Sequence, residues 1–183
     1  MTGKITVLIG SPRANGNSAK IAKAIADECQ AMGKEVATFH LDKIEGLRGC
    51  RACNACKKRG GCIAKDPTLP ILESIAESEG IVLSTPLYFN VESGQLKLVL
   101  DRFYGFLSED FKTFLPGTQK AAVVVSCMTG EESSEDCASH LRQVCSMCGI
   151  QPVGTIAVCD PGDEKNTLTP EILERAKDIA HKL

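Results

Sequence analysis

The chain has 183 residues, 43% hydrophobic and 24% charged, with a formal net charge of −2 and ten cysteines. That length predicts one domain over residues 1–183 with a real core, and the near-neutral balance leaves no basic surface for nucleic acid. No apolar run approaches the ~18 residues of a membrane helix. "MTGKITVLIG" enters a strand without a signal-peptide core, so a cytoplasmic protein is expected.

"KITVLIG" (Lys4 to Gly10), β-branched and closed by glycine, predicts a buried strand. A helix follows from about Asn17 to Met32, with Ile21, Ile25, Cys29 and Met32 on one face and Gly33 at its end. "EVATFHL" is a second strand. A cysteine-rich loop at about 46–66 leads to a helix from about Asp66 to Ser78, with Pro67 in its first turn. "GIVLSTP" (Gly80 to Pro86) is a third buried strand, and Ser93 caps a helix that turns Leu96, Val99, Leu100 and Phe103 inward. "KAAVVVS" is a fourth strand. Ser133 or Ser134 starts a helix to Gly149, with Glu135 and Asp136 at the positive end of its dipole. "QPVGTIAVC" is a fifth strand, which Pro152 assigns to an edge or a late start. Thr169–Pro170 opens a last helix that buries Ile172, Leu173, Ala176, Ile179 and Leu183.

Strands alternate with helices, which predicts an α/β fold: a parallel sheet with helices on both faces, joined by right-handed crossovers. Ligands of such sheets bind beyond the carboxyl ends of the strands. The loops that matter are then Ser11–Ser18, the cysteine loop, Pro86–Ser93 and Cys127–Ser134.

The first of these reads "GSPRANGNS", Gly10 to Ser18, between a strand and a helix N-terminus, where free amides and the dipole favour an anion. Ser11, Asn15, Asn17 and Ser18 are short donors able to ring a phosphate, Arg13 adds a charged fork, and Gly16 admits close backbone approach. No lysine precedes Ser18, so the nucleoside-triphosphate loop pattern fails. Pro12 stands where the dinucleotide fingerprint needs its second glycine. A single phosphate monoester fits better; the competing reading is a polar turn with a good helix cap.

Tyr88 and Phe89 follow Pro86 at the end of the third strand, in a chain with six phenylalanines, two tyrosines and no tryptophan. Two aromatics at a ligand edge suggest a planar ligand stacked on their rings. A subunit interface or a cover for the sheet are the other uses such rings find.

Cys50, Cys53, Cys56 and Cys62 fall within thirteen residues. In a reducing compartment they point away from disulfides and toward metal or redox chemistry. Three cysteines at every third residue can aim at one centre, and Gly60 and Gly61 let the chain bend back so that Cys62 supplies a fourth thiolate, as a [4Fe–4S] cluster needs. Zinc prefers two separated C-x₂-C knuckles, and four reduced thiols in a loop remain the plainest alternative. Lys57, Lys58 and Arg59 would offset a thiolate centre's charge, form a solvated face, or dock an acidic electron carrier. Cys29, Cys145, Cys148 and Cys159 read as packing residues, Cys127 as a neighbour of the ligand loop, and His40, His140 and His181 as ordinary.

One phosphate and one flat ring suggest FMN. "GSPRANGNS", "STPLYFN", "SGQLKLVLDRF" and the cysteine loop resemble the flavodoxin-like NAD(P)H-dependent FMN reductase family, above all its iron–sulfur flavoprotein branch, over about Lys4 to Cys159. The resemblance implies a flavodoxin-like three-layer sandwich with a five-stranded parallel sheet in the order 2-1-3-4-5. It implies that Ser11, Arg13, Asn15, Asn17 and Ser18 hold the FMN phosphate, that Pro86, Leu87, Tyr88, Phe89 and Asn90 line the isoalloxazine, and that Thr129 and Gly130 supply its other side. Many members carry glycine where Asn90 stands. The spacing C-x₂-C-x₂-C-x₅-C is similar to the branch's cluster motif, which assigns Cys50, Cys53, Cys56 and Cys62 to a [4Fe–4S] centre.

By the same resemblance the donor is NAD(P)H or reduced ferredoxin. The acceptor is a quinone, an oxygen species or a protein, and the assembly is a homodimer or homotetramer. No side chain reads as a catalytic acid or base. A non-catalytic flavodoxin-type electron carrier and a zinc- or thiol-based sensor are the alternatives. No partner in nucleic acid or membrane is expected.

Overall fold

The computed structural model describes residues 3–128, 130–159 and 168–183. The strands are β1 (Lys4–Ile9), β2 (Glu35–His40), β3 (Gly80–Tyr88), the two-residue β4 (Val91–Glu92), β5 (Lys120–Cys127) and β6 (Gln151–Cys159). They form one sheet in the order β2-β1-β3-β5-β6, with β4 folded back antiparallel on the end of β3. Setting that hairpin strand aside, the described strands run parallel in the expected order 2-1-3-4-5.

The β-branched runs follow from burial on both faces. Leu8, Ile81, Leu83, Val123 and Val125 pack into one core, while Val7, Val82, Ala122, Val124 and Ile156 pack into the other. Helices α1 (Asn17–Ala31) and α6 (Pro170–Lys182) cover the second core. The first is covered by α3 (Leu69–Glu77), α4 (Gly94–Leu100) with its 3₁₀ continuation Asp101–Phe106, and α5 (Glu131–Met147). Thr6, turned into this apolar interior, is satisfied by the hydroxyls of Ser74 and Ser78 at 2.7 and 2.6 Å. No described helix is long and apolar enough to cross a membrane.

Pro152 behaves as its chemistry requires. β6 lies at the sheet edge, and the register jumps there from Ala121↔Pro152 to Ala122↔Gly154, so Val153 bulges out. Other boundaries moved. The helix expected from Asp66 begins at Leu69 with Pro70 in its first turn, because Asp66 instead closes a turn, accepting the Thr68 N–H at 3.1 Å. The helix expected from Ser133 or Ser134 begins at Glu131, since left-handed Gly130 (φ 91°) turns the chain earlier. Met32 and Leu173, both expected on buried faces, are exposed: Met32 lies past the helix end, and Leu173 flanks the apolar stripe of α6 that Ile172, Ala176 and Ile179 fill. The cysteine loop contains an unexpected short helix, α2 (Ala55–Arg59).

Candidate functional site

β1, β3 and β5 are neighbours, so the loops at their carboxyl ends lie side by side. The β1 loop folds on itself: the Ser11 hydroxyl accepts the Arg13 N–H at 3.1 Å and donates to the Arg13 carbonyl at 3.0 Å, and the Gly16 N–H donates to that carbonyl at 3.1 Å. A Cβ on Gly16 would sit 2.8 Å from the Ser11 hydroxyl, so the turn requires glycine. Gly16 is also the N-cap of α1 and brings no side chain to its first amides. Ser18, in that first turn, is 1% exposed, and its hydroxyl has no partner among the described residues. Ser11 is buried, Asn17 half-buried, and Arg13 and Asn15 are exposed.

A buried polar network sets this loop against the next. The Ser93 hydroxyl donates to the Gly10 carbonyl at 2.8 Å and accepts the Leu96 N–H at 3.3 Å, which is the expected cap of α4. The Ser93 N–H donates to the Thr85 hydroxyl at 2.9 Å, which donates to the Pro86 carbonyl at 2.8 Å. Ser84 donates to the Ser18 carbonyl at 2.9 Å. His40, read from sequence as ordinary, lies 2.8 Å from the Ser11 carbonyl through Nε2 and holds the loop from β2.

Pro86 is buried and Leu87 half-buried, while Tyr88 is partly exposed and Phe89 stands clear of the protein at 101% relative exposure. Phe89 (φ 50°) and Asn90 (φ 68°) are both left-handed, as a two-residue hairpin between β3 and β4 demands. Asparagine tolerates that region and glycine prefers it, whereas phenylalanine there is strained. Of the β5 loop, Gly130 is exposed, Met128 is exposed, and Thr129 lies outside the described residues. Cys127 is buried beside it, its thiol 3.6 Å from the Val158 carbonyl and 3.8 Å from that of Gly130.

The four clustered cysteines line one recess together with Arg102, Tyr104 and Gly105. Left-handed Ala52 (φ 52°) and Asn54 (φ 57°) wind the loop between them. Cys56 is buried, Cys62 half-buried, and Cys50 and Cys53 exposed. Two sulfurs already accept hydrogen bonds: Cys50 from the Ala52 N–H at 3.4 Å and Cys62 from Arg102 Nη2 at 3.1 Å. Among the described residues, no three His, Cys, Asp or Glu side chains converge closely enough to hold a metal ion, so the sulfurs share a recess without meeting at a point. Lys57 does not face a cluster as a free counter-charge. Its ammonium donates to the carbonyls of Tyr104 (2.8 Å) and Leu107 (2.6 Å) and sits 3.3 Å from the Tyr104 ring centroid, pinning α2 to the 3₁₀ segment.

The remaining thiols differ in kind. Burial raises Cys137 and Cys145 to about 12 and Cys148 to about 11, and pushes Cys29 up as well. They are neutral packing groups, as expected for Cys29, Cys145 and Cys148.

A family model for NADPH-dependent FMN reductase matches residues 3–165. The chain belongs to that family. An iron-sulfur flavoprotein of Archaeoglobus fulgidus is 28% identical over 151 residues, covering 82% of this chain and 66% of that protein. An iron-sulfur flavoprotein of Methanocaldococcus jannaschii is 31% identical over 122 residues, covering 67% and 61%. The chain thus spans less than two thirds of the length of these relatives. A solved NAD(P)H:quinone oxidoreductase from Methanothermobacter marburgensis superposes with a TM-score of 0.75 over 100% of this chain and 96% of that one at 18% identity, which shows the shared fold.

The residues present suit an FMN reductase's cofactor. A helix N-terminus whose glycine N-cap brings no side chain, and a buried hydroxyl without a partner among the described residues, are what a phosphate would satisfy. The recess suits an iron–sulfur centre by donor chemistry: four thiols on one loop, two of them already receiving hydrogen bonds. His40 and Arg102 are the two site residues that sequence reasoning missed. The pairing of β1 and β2 places Ile9 opposite His40, one step from the β1 loop, a signal available once strand order is known.

Proposed function

We propose that this chain is an FMN-dependent oxidoreductase of the cytoplasm. Electrons pass between NAD(P)H or reduced ferredoxin and a quinone, an oxygen species or a protein, with a [4Fe–4S] cluster beside the flavin. The observation that carries the reading is the buried hydroxyl of Ser18, without a partner among the described residues, at the start of α1, where the N-cap Gly16 offers no side-chain cap. Ser11, Arg13, Asn15, Asn17 and Ser18 would take the phosphate. Pro86, Leu87, Tyr88, Phe89 and Asn90 would line the ring on one side, with Thr129 and Gly130 on the other. Cys50, Cys53, Cys56 and Cys62 would hold the cluster. Bound FMN accepts hydride as a two-electron unit and releases electrons singly, which matches a one-electron centre.

The chain's own part is binding and orientation. Ser93 and Thr85 fix the two flavin loops relative to each other, and the exposed Tyr88 and Phe89 give a planar ligand, or a second copy in a homodimer or homotetramer, an apolar surface to cover. No side chain is assigned a proton-transfer role.

The test is the visible spectrum and metal content of protein purified without oxygen, followed by NADPH oxidation with a quinone acceptor. Paired flavin bands on a broad absorbance bleached by dithionite, iron near four per chain and turnover are expected. Flavin with no turnover makes the chain a carrier; zinc without flavin makes it a sensor and refutes the proposal.

A further inference from the structure

We infer that Arg102 is the positioning residue of the cysteine recess: its guanidinium donates to the sulfur of Cys62 and fastens both ends of the loop that carries the four thiols. This rests on the reading of the recess as a cluster site.

Arg102 follows α4 in the 3₁₀ segment and is 2% exposed, so its charge must find partners inside the protein. Nη1 donates to the Arg48 carbonyl at 3.1 Å and to the two Asp66 carboxylate oxygens at 3.2 and 3.0 Å, and Nη2 donates to Cys62 Sγ at 3.1 Å. Arg48 precedes the first of the four cysteines and Asp66 follows the last. One planar fork therefore closes the whole cysteine loop, and buried Thr68 seconds it by bonding the Arg48 N–H and carbonyl, each at 3.2 Å. A lysine, with its donors on a single nitrogen, cannot reach both sides.

The donation to sulfur separates this arrangement from an ordinary buried ion pair. A bidentate pair would turn both Nη atoms to the carboxylate; here only Nη1 serves Asp66. Cys62 is also the cysteine outside the C-x₂-C-x₂-C winding, so its place has to come from elsewhere. The 3₁₀ segment supplies it. Side chains three apart eclipse in a 3₁₀ helix, which puts Arg102 and Gly105 on one side. A Cβ on Gly105 would lie 3.3 Å from Cys62 Cβ and N, so one residue leaves the room and the other makes the bond. A donor on a ligand sulfur spreads the negative charge that reduction adds, and so raises the potential of a thiolate-bound centre.

The test is the midpoint potential of the iron-dependent absorbance, with iron per chain, in wild type, Arg102→Lys and Asp66→Asn. Asp66→Asn breaks the ion pair and keeps the N–H···S bond. Arg102→Lys is expected to lower the midpoint by at least a tenfold change in the reduction equilibrium, about 59 mV for one electron, and Asp66→Asn to lower thermal stability with a much smaller shift. An unmoved midpoint in Arg102→Lys, or equal shifts in both variants, overturns the inference. Should neither variant fold, wild type grown with arginine labelled with nitrogen-15 in its guanidino group decides. Pulsed electron paramagnetic resonance of the reduced protein should show a nitrogen-15 coupling to the cluster, and its absence overturns the inference. Wild type without iron refutes the recess reading itself and the inference with it, an outcome the iron assay tells apart from a failure confined to Arg102.

Discussion

Ser18→Ala is expected to move stability and affinity in opposite directions. Without ligand, the Ser18 hydroxyl is buried and has no partner among the described residues. Leaving such a group unsatisfied costs about 1–3 kcal/mol, so deleting it removes a penalty from the free protein. For a chain of this size each kcal/mol is worth about 2–4 °C, so the melting temperature of the flavin-free variant should rise by roughly 2 °C or more. With FMN bound, the same hydroxyl would donate to a charged phosphate oxygen, a bond worth about 1.5–3 kcal/mol. Its loss should weaken FMN binding by roughly 10- to 150-fold, since each 1.4 kcal/mol is tenfold. Differential scanning fluorimetry of the stripped proteins and quenching of flavin fluorescence on titration read the two effects separately. A variant that melts lower when flavin-free, or that holds FMN as tightly as wild type, would show that Ser18 faces no phosphate.

Three further outcomes follow from the geometry. Cys53→Ala should lose most of its iron by metal analysis while keeping its flavin absorbance, because Cys53 lines the recess and makes no hydrogen bond to the flavin loops among the described residues. Phe89→Asn should raise the urea midpoint, since left-handed backbone at a bulky residue costs about 1–3 kcal/mol that asparagine largely avoids; a faster release of FMN in the same variant would place the Phe89 ring on the ligand. Raising pH should leave stability level below about 9 and then erode it up to about 12, because the folded pKa values of Cys137, Cys145 and Cys148 lie above the ordinary 9.0 and the unfolded chain ionises first. Each thiol contributes a slope of about 1.4 kcal/mol per pH unit in that window, and urea midpoints that stay flat from pH 9 to 10.5 would count against this burial.

What the sequence discloses here depends on range. The strands were legible because a sheet buried on both faces writes itself as uninterrupted β-branched runs, and the bend at Pro152 because proline lacks an amide to donate. The β1 loop stood out for a similar reason: short donors and a glycine gather within nine residues ahead of a helix, a composition that serves an anion or a polar capping turn alike. The helix starts near Asp66 and Ser133 were misjudged because capping residues also close turns, and Asp66 does so. α2 escaped notice because five residues carry no periodicity; its ends are set by left-handed Asn54 and Gly60. His40, Lys57 and Arg102 act across 29, 47 and 40 residues of chain, to Ser11, Tyr104 and Cys62, and nothing local announces such partners.

Those long-range contacts also tie the β1 loop and the cysteine recess to one element. Ser93, at the start of α4, holds the Gly10 carbonyl, and Arg102, just past its end, holds Cys62. Between them Leu96 and Val99 are fully buried, so the segment can neither slide nor turn without breaking the core. Seven α-helical residues and two more of 3₁₀ rise by roughly 14 Å, which sets a fixed separation between what the two ends hold. Loops that carry ligands are ordinarily the mobile parts of such a fold. Here each is fastened to opposite ends of one helical segment packed on the core, and of the two side chains that fasten them the sequence marked only Ser93, as a helix cap. The stretch "SGQLKLVLDRF" therefore does more than pack: Ser93 at its start and Arg102 near its end hold the β1 loop and the cysteine recess in register.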